Sequence, residues 1–114
     1  MGTPDELAAK RCQPCEGGVP ALDAPAIRAL LKALHTDWQL AGDGKSISRQ
    51  FEFNGYNRTM GFANAVAWIA NTEGHHPDLL VTYGKCRVTW WTHAVGSLTE
   101  NDFICAAKVD RLVA

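Results

Sequence analysis

The stretch from Asn71 to His93, NTEGHHPDLLVTYGKCRVTWWTH, most strongly constrains how this 114-residue chain can fold. Glu73-Gly74, near its start, is typical of a helix end because glycine readily adopts the left-handed closing conformation. Pro77 then excludes a helix and favours an extended chain. The segments 79–83 and 86–93 are predicted strands, and the Gly-Lys between them predicts a two-residue turn. We therefore expect a helix that leads directly into a β-hairpin.

Three of the four histidines lie in this stretch, namely His75, His76 and His93. The first two directly follow the predicted helix end, and the third ends the second predicted strand. If Gly84-Lys85 is the turn, counting outward along the ladder places His76 opposite His93. Directly opposed side chains in an antiparallel ladder lie about 5 Å apart at Cβ. We therefore expect the three imidazoles to meet at the mouth of the hairpin, around one small ligand.

The rest of the chain alternates between helices and strands. Asp23 is a suitable N-cap for the first helix, and Thr99 with Asp102 resembles a capping box that begins the last one. The predicted helices are 23–35, 57–72 and one that starts after Thr99, and the predicted strands are 38–40, 47–53, 79–83 and 86–93. The order αββαββα predicts an α+β fold with a four-stranded antiparallel sheet and helices packed on one face. We expect residues 1–20 to be a loosely ordered lead-in and residues 21–114 to form a single domain.

The composition excludes several classes of protein. Hydrophobic residues make up 46% and charged residues 20%, so the chain is expected to fold. The net charge is −1 and no basic run is present, which argues against binding to nucleic acid or to a membrane surface. No apolar run is long enough to span a membrane, and the polar N-terminus does not resemble a targeting sequence. We therefore expect a cytoplasmic protein.

The four cysteines do not indicate a definite site. Cys12 and Cys15 form a C-x-x-C pair, whereas Cys86 and Cys105 stand alone in a predicted strand and a predicted helix. The pair follows a polar tail rather than a buried strand, which disfavours a redox motif. A structural zinc site needs four ligands. We interpret the cysteines as free thiols with a mobile N-terminal pair, and zinc shared between subunits is the alternative.

The three histidines suit two kinds of chemistry. Three imidazoles can hold a zinc ion, although adjacent histidines seldom direct both rings at one metal. Metal-free acid–base catalysis fits better, because histidine gains and loses a proton near neutral pH. Such a site can remove one proton while protonating a leaving hydroxyl, as a dehydration requires. His35, alone at a helix end, is interpreted as a surface residue.

The motif residues resemble the signature of the pterin-4a-carbinolamine dehydratases. The resemblance rests on the types and spacing of Gly74-His75-His76-Pro77, Tyr83, Thr92-His93 and Asp102. It includes the αββαββα order and the Trp-Trp-Thr-His sequence at the end of the last strand, and extends from about Leu22 to the C-terminus. One departure is Asn71, because the family commonly has an acidic residue four positions before the first histidine.

The resemblance implies a dehydratase that forms quinonoid dihydropterin from 4a-hydroxytetrahydrobiopterin or a related pterin. It implies no cofactor and no metal, since the pterin is the substrate. The implied catalytic residues are His75, His76 and His93, and the implied substrate-binding residues are Trp38, Pro77, Thr92 and Asp102. It further implies a homodimer or homotetramer, and an aromatic amino-acid hydroxylase that supplies the substrate. The alternative is a non-catalytic adaptor or dimerisation cofactor with the same fold.

Overall fold

The computed structural model describes residues 3–14 and 18–114. The helices are α1 (Pro4–Ala9), α2 (Ala24–Ala33), α3 (Tyr56–Glu73) and α4 (Glu100–Asp110), and the strands are β1 (Gln39–Leu40), β2 (Ile47–Glu52), β3 (Asp78–Val81) and β4 (Lys85–Trp90). All pairs in the sheet are antiparallel, in the order β1-β2-β4-β3. The predicted α+β fold with a four-stranded antiparallel sheet is therefore confirmed, with one additional helix at the N-terminus.

Local sequence signals set the helix ends that position the site. Asp23 is the N-cap of α2 and accepts a hydrogen bond from the Ala26 N–H at 2.9 Å. Gly74 ends α3 in the left-handed conformation, with φ of 66°. Thr99 and Asp102 form the capping box that begins α4. These three predictions are confirmed, and the last two place the residues that follow α3 near the first turn of α4.

The two faces of the sheet differ in burial. One face is fully or almost fully buried and contributes Ile47, Phe51, Cys86, Val88 and Trp90 to the core. Both α3 and α4 contact β4, the strand that lies between β2 and β3. The other face carries polar side chains such as Gln50, which pairs with Arg87. Fully buried side chains therefore alternate along β4 with exposed or partly exposed ones.

The predicted register of the second hairpin is wrong by two residues. Val81, rather than Tyr83, pairs with Cys86, and the Thr82 N–H donates to the Lys85 carbonyl at 2.8 Å. The turn therefore consists of residues 83 and 84, and His76 does not lie opposite His93 in the ladder. A shift of two residues preserves the face to which each side chain points.

A tertiary contact explains the position of this turn. The Gly84 carbonyl accepts a hydrogen bond from the Phe53 N–H at 2.8 Å, where the chain leaves β2. A Cβ atom on Gly84 would lie 3.1 Å from the Phe53 carbonyl oxygen, which is closer than side chains normally pack. A side chain here would require the backbone at Phe53 to move by a few tenths of an ångström, so glycine is favoured at the second turn position.

The N-terminal segment departs from the expected loosely ordered lead-in, because its described part contains α1. Thr3 and Glu6 form a capping box, and proline occupies the first turn, where its missing N–H costs no hydrogen bond. Leu7 is fully buried, and α1 packs against α4. The Lys108 ammonium fixes the end of α1 by donating to the Ala8 carbonyl at 2.7 Å. This segment is therefore part of the folded domain.

Leu7→Ala is expected to lower the free energy of unfolding by about 2–5 kcal/mol, because it removes a fully buried side chain between α1 and α4. Urea denaturation measures this change. Leu112→Ala is the matched control, since Leu112 is 42% exposed and its truncation is expected to change stability by only about 0.5 kcal/mol. Equal effects of the two substitutions would contradict the docking of α1.

Candidate active site

A buried histidine–aspartate pair joins the end of α3 to the start of α4. The His75 Nε2 lies 2.6 Å from the Asp102 Oδ1, and the two residues are 5% and 0% exposed. An ionised carboxylate only accepts hydrogen bonds, so the His75 Nε2 carries the proton of this hydrogen bond. The contact with Asp102 therefore fixes the orientation of the His75 ring.

The second carboxylate oxygen of Asp102 is held by two further donors. Its Oδ2 accepts from the Thr92 hydroxyl at 2.8 Å and from the Thr99 N–H at 2.9 Å. The Thr92 and Thr99 hydroxyls are themselves 2.8 Å apart, and both residues are fully buried. Hydrogen bonds to a charged acceptor are stronger than neutral ones and fix its orientation. The network therefore orients the carboxylate, which in turn orients His75.

The indole of Trp90 stacks on one face of the His75 ring. The two rings are stacked, with centroids 5.4 Å apart and planes inclined by 12°. Trp90 is fully buried in the sheet face beneath α4. The imidazole is therefore confined by a flat apolar surface as well as by its hydrogen bond to Asp102.

The three motif histidines line one small cavity. It has a volume of about 150 Å³ and is lined by Gly74, His75, His76, Trp91, His93 and Ala94. His76 and His93 are exposed, in contrast to His75. His93 lies beyond the end of β4, in a turn flanked by the Thr92–Ser97 bridge. The structure thus brings together one buried imidazole and two that face solvent.

Trp91 positions the ring of His93. Their ring centroids are 3.9 Å apart, and the Trp91 indole N–H donates to the Asp78 carboxylate at 3.1 Å. This contact links the exposed side of β4 to β3 and fixes the indole at the rim of the cavity. No local sequence signal indicates this hydrogen bond between Trp91 and Asp78.

Trp38 and Pro77 do not line this cavity. The Trp38 indole N–H donates to both carboxylate oxygens of Asp110, at 3.0 and 2.9 Å. Asp110 follows Asp102 by eight residues on α4, which is about 12 Å along a helix axis. Pro77 is half-buried between His76 and the start of β3. A role for Trp38 or Pro77 in substrate binding therefore stays a prediction.

Glu73, two positions before His75, does not line the cavity. The Glu73 carboxylate accepts from the Cys12 N–H at 2.8 Å and pairs with Arg11 at 3.1 Å. Burial raises the pKa of Glu73, but the hydrogen bond from Cys12 and the charges of Lys108 and Arg11 outweigh it and lower the pKa overall. Asn71 is exposed and is not one of the cavity residues. Neither residue supplies a carboxylate to the cavity.

Within residues 3–14 and 18–114, no group of three or more His, Cys, Asp or Glu side chains is arranged to hold a metal ion. In the same part of the chain, no helix is long and apolar enough to cross a membrane.

Comparison with known proteins identifies the family. The family model described as pterin 4 alpha carbinolamine dehydratase matches residues 20–112. The chain belongs to this dehydratase family. A protein of Nitrosomonas eutropha with the provisional name pterin-4-alpha-carbinolamine dehydratase is 56% identical over 108 residues, which cover 95% of this chain and 94% of the relative.

Two solved structures of related proteins share the fold. A transcriptional coactivator/pterin dehydratase from Brucella melitensis matches with a TM-score of 0.79 and 28% identity, over 83% of this chain and all of the other. A pterin dehydratase-like protein, described as a RuBisCO assembly factor in the α-carboxysome, matches with a TM-score of 0.60 and 25% identity, over 70% and 93%. The fold thus occurs in proteins described by more than one role.

The structure brings the three predicted histidines and Asp102 close together, and it also adds Thr99 to the network around Asp102. Thr99 was predicted only as a helix cap, whereas its N–H and hydroxyl also organise Asp102 and Thr92. The capping box could have indicated this network, because only one oxygen of the N3 carboxylate accepts from the cap N–H. The second oxygen is free to bind another group, which here is His75.

Proposed function

We propose that the chain removes water from a 4a-hydroxytetrahydropterin, such as 4a-hydroxytetrahydrobiopterin, and releases the quinonoid dihydropterin. The observation that supports this most directly is the Asp102–His75 pair, which meets two exposed histidines at one cavity. Family membership supports a pterin as the substrate. The proposed catalysts are His75, His76 and His93.

The chemistry of a carbinolamine explains why several imidazoles are useful. In a carbinolamine, a hydroxyl and an amine nitrogen are bonded to the same carbon. Dehydration breaks the carbon–oxygen and nitrogen–hydrogen bonds and forms a carbon–nitrogen double bond. The nitrogen must lose a proton while the departing hydroxyl gains one. An imidazole near neutral pH can perform either transfer, and two of them can perform both in one binding event.

The surroundings of the rings suggest how they divide this work. Asp102 stabilises a positive charge on His75 and holds its Nε2 protonated, which favours the role of base at Nδ1. His76 and His93 are exposed and exchange protons with water readily, which suits the acid that protonates the hydroxyl. The indole of Trp91, at the cavity rim, offers an aromatic surface to the flat pterin rings.

A coupled assay tests the proposal. A purified aromatic amino-acid hydroxylase generates the 4a-hydroxypterin, and its decay is followed by absorbance with and without this protein. The wild-type chain is expected to accelerate the decay, and the double variant His75→Ala/His93→Ala is expected to reduce the acceleration by about 10²-fold or more. A wild-type protein that leaves the spontaneous decay unchanged would refute the proposal.

The second candidate is a non-catalytic adaptor that acts as a homodimer or homotetramer. The descriptions of the two related structures, as a coactivator and as an assembly factor, favour retaining it. The same double variant separates the candidates, since an adaptor keeps its oligomeric state and partner binding without His75 and His93. For the enzyme, we propose a cytoplasmic location and a hydroxylase as the source of substrate.

A further inference from the structure

Two cysteines that are distant in sequence meet behind the candidate active site. The Cys12 and Cys105 sulfur atoms are 3.4 Å apart, although the residues are separated by 93 positions. Both are free thiols; Cys105 is fully buried in α4 and Cys12 is partly exposed. A disulfide needs a sulfur separation of about 2.05 Å, so the atoms must approach by about 1.4 Å. Small side-chain rotations can supply such a movement.

The N-terminal strap, residues 10–13, is held in position by hydrogen bonds that do not involve the sulfur–sulfur contact. The Cys12 N–H donates to the Glu73 carboxylate at 2.8 Å. The Gln13 N–H and carbonyl bind the Asn101 side-chain amide at 3.0 and 2.8 Å. These contacts fix the backbone of Cys12 against α3 and α4. The two sulfur atoms are therefore held together by the fold.

We propose that Cys12 and Cys105 form an oxidation site, at which a low-molecular-weight disulfide converts the two thiols into an intramolecular disulfide. The Cys12 thiolate attacks one sulfur of the small disulfide, forms a mixed disulfide and releases one small thiolate. The Cys105 thiolate then attacks the Cys12 sulfur and releases the second. The two protein protons pass to the released thiolates, so two electrons move from the protein to the small disulfide.

The order of these steps follows from exposure. Cys12 is the accessible partner, whereas a reagent in solution does not reach Cys105. The hydrogen bond with Cys12 and burial raise the pKa of Cys105, with smaller contributions from the charges of Glu73 and Asp102. A thiol with a raised pKa is a poor first nucleophile. Cys105 therefore serves as the resolving thiol, which acts only on the mixed disulfide beside it.

Mass spectrometry of the full chain after treatment with oxidised glutathione tests the site. We expect a mass loss of about 2 Da, as two hydrogens leave, and a fall in titratable thiols from four to two. Trypsin should release Cys12–Arg28 linked to Val88–Lys108, and the second of these peptides contains only Cys105. Detection of a glutathione adduct without the cross-link, or no change in mass, would overturn the proposal.

Cys15 requires a separate control because it shares a tryptic peptide with Cys12 and lies outside the described residues. Cys15→Ser is expected to form the cross-link as the wild type does, and Cys12→Ser is expected to lose it. Loss of the cross-link in Cys15→Ser would assign the disulfide to the C-x-x-C pair and contradict the proposal.

Thermal unfolding gives a second readout. The disulfide closes a long loop in the unfolded chain, so the oxidised wild type should melt about 10 °C higher than the reduced form. Dithiothreitol should reverse this rise, and Cys12→Ser should not show it. An oxidised form with the Tm of the reduced form would contradict a cross-link between the strap and α4. The outcome does not depend on the pterin reaction.

Discussion

Asp102→Asn is expected to lower kcat for the proposed dehydration by about 10²–10⁴-fold. The substitution keeps the size and shape of the side chain but removes its negative charge. The expected loss is large because Asp102 is fully buried and lies 2.6 Å from His75. Because Asp102 is inaccessible to bulk water, solvation cannot compensate for the lost charge.

The effect follows from the tautomer of His75. The asparagine oxygen can still accept from the Thr92 hydroxyl and the Thr99 N–H, which leaves its amide group facing His75 Nε2. An amide N–H donates, so Nε2 must become the acceptor and the ring proton must move to Nδ1. His75 then presents a proton where the reaction requires a lone pair. Its imidazolium also loses the charge that stabilises it.

Two measurements check this prediction. Steady-state kinetics in the coupled assay gives kcat, and ¹⁵N chemical shifts of the His75 ring report which nitrogen is protonated. Asp23→Asn is the matched control, because Asp23 caps α2 and asparagine caps a helix equally well. An Asp102→Asn variant with full activity would show that the pair is structural rather than catalytic.

Sequence rules for helix ends and turns predicted the structure correctly wherever one short segment determines its own conformation. Gly74 ends α3 and Thr99 begins α4 as predicted, because each adopts the terminal conformation that its neighbours require. The two helix ends place His75 just after α3 and Asp102 in the first turn of α4. The packing of α3 and α4 on each other and on β4 then brings the two residues together.

Local rules failed where distant segments determine the outcome. Both Gly84-Lys85 and the observed turn at residues 83 and 84 contain a glycine, and the choice between them is made by the contact of Gly84 with Phe53. The hairpin argument for pairing His76 with His93 was wrong, yet both line the same cavity. The turn that follows β4, rather than the ladder, places His93 there.

The N-terminal helix was missed for a different reason. Thr3 and Glu6 have the spacing of a capping box, so the signal for α1 was present in the sequence. It was outweighed by the polar composition of the segment as a whole. Leu7 is fully buried and Lys108 of α4 donates to the Ala8 carbonyl, so α1 is held by tertiary contacts that the overall composition does not reveal. The contact between Cys12 and Cys105 depends on that docking and had no local signal.

His93→Ala is expected to separate catalysis from stability. The residue is exposed, and its principal described contact is the face of Trp91 at 3.9 Å between ring centroids. Truncation is therefore expected to change the free energy of unfolding by no more than about 0.5 kcal/mol. If His93 transfers a proton, kcat should nevertheless fall by about 10²-fold or more.

His35→Ala is the control for this substitution, since His35 is an exposed histidine whose described ionic partner is Asp37, and it is not one of the cavity residues. We expect wild-type kcat from His35→Ala and a strongly reduced kcat from His93→Ala, with both variants unfolding at wild-type urea concentrations. Asp102→Asn is expected to lose stability as well, because it weakens a buried hydrogen-bond network. If His93→Ala instead retained full activity, the proton would have to be supplied by His76, and the three-histidine scheme would reduce to the doublet.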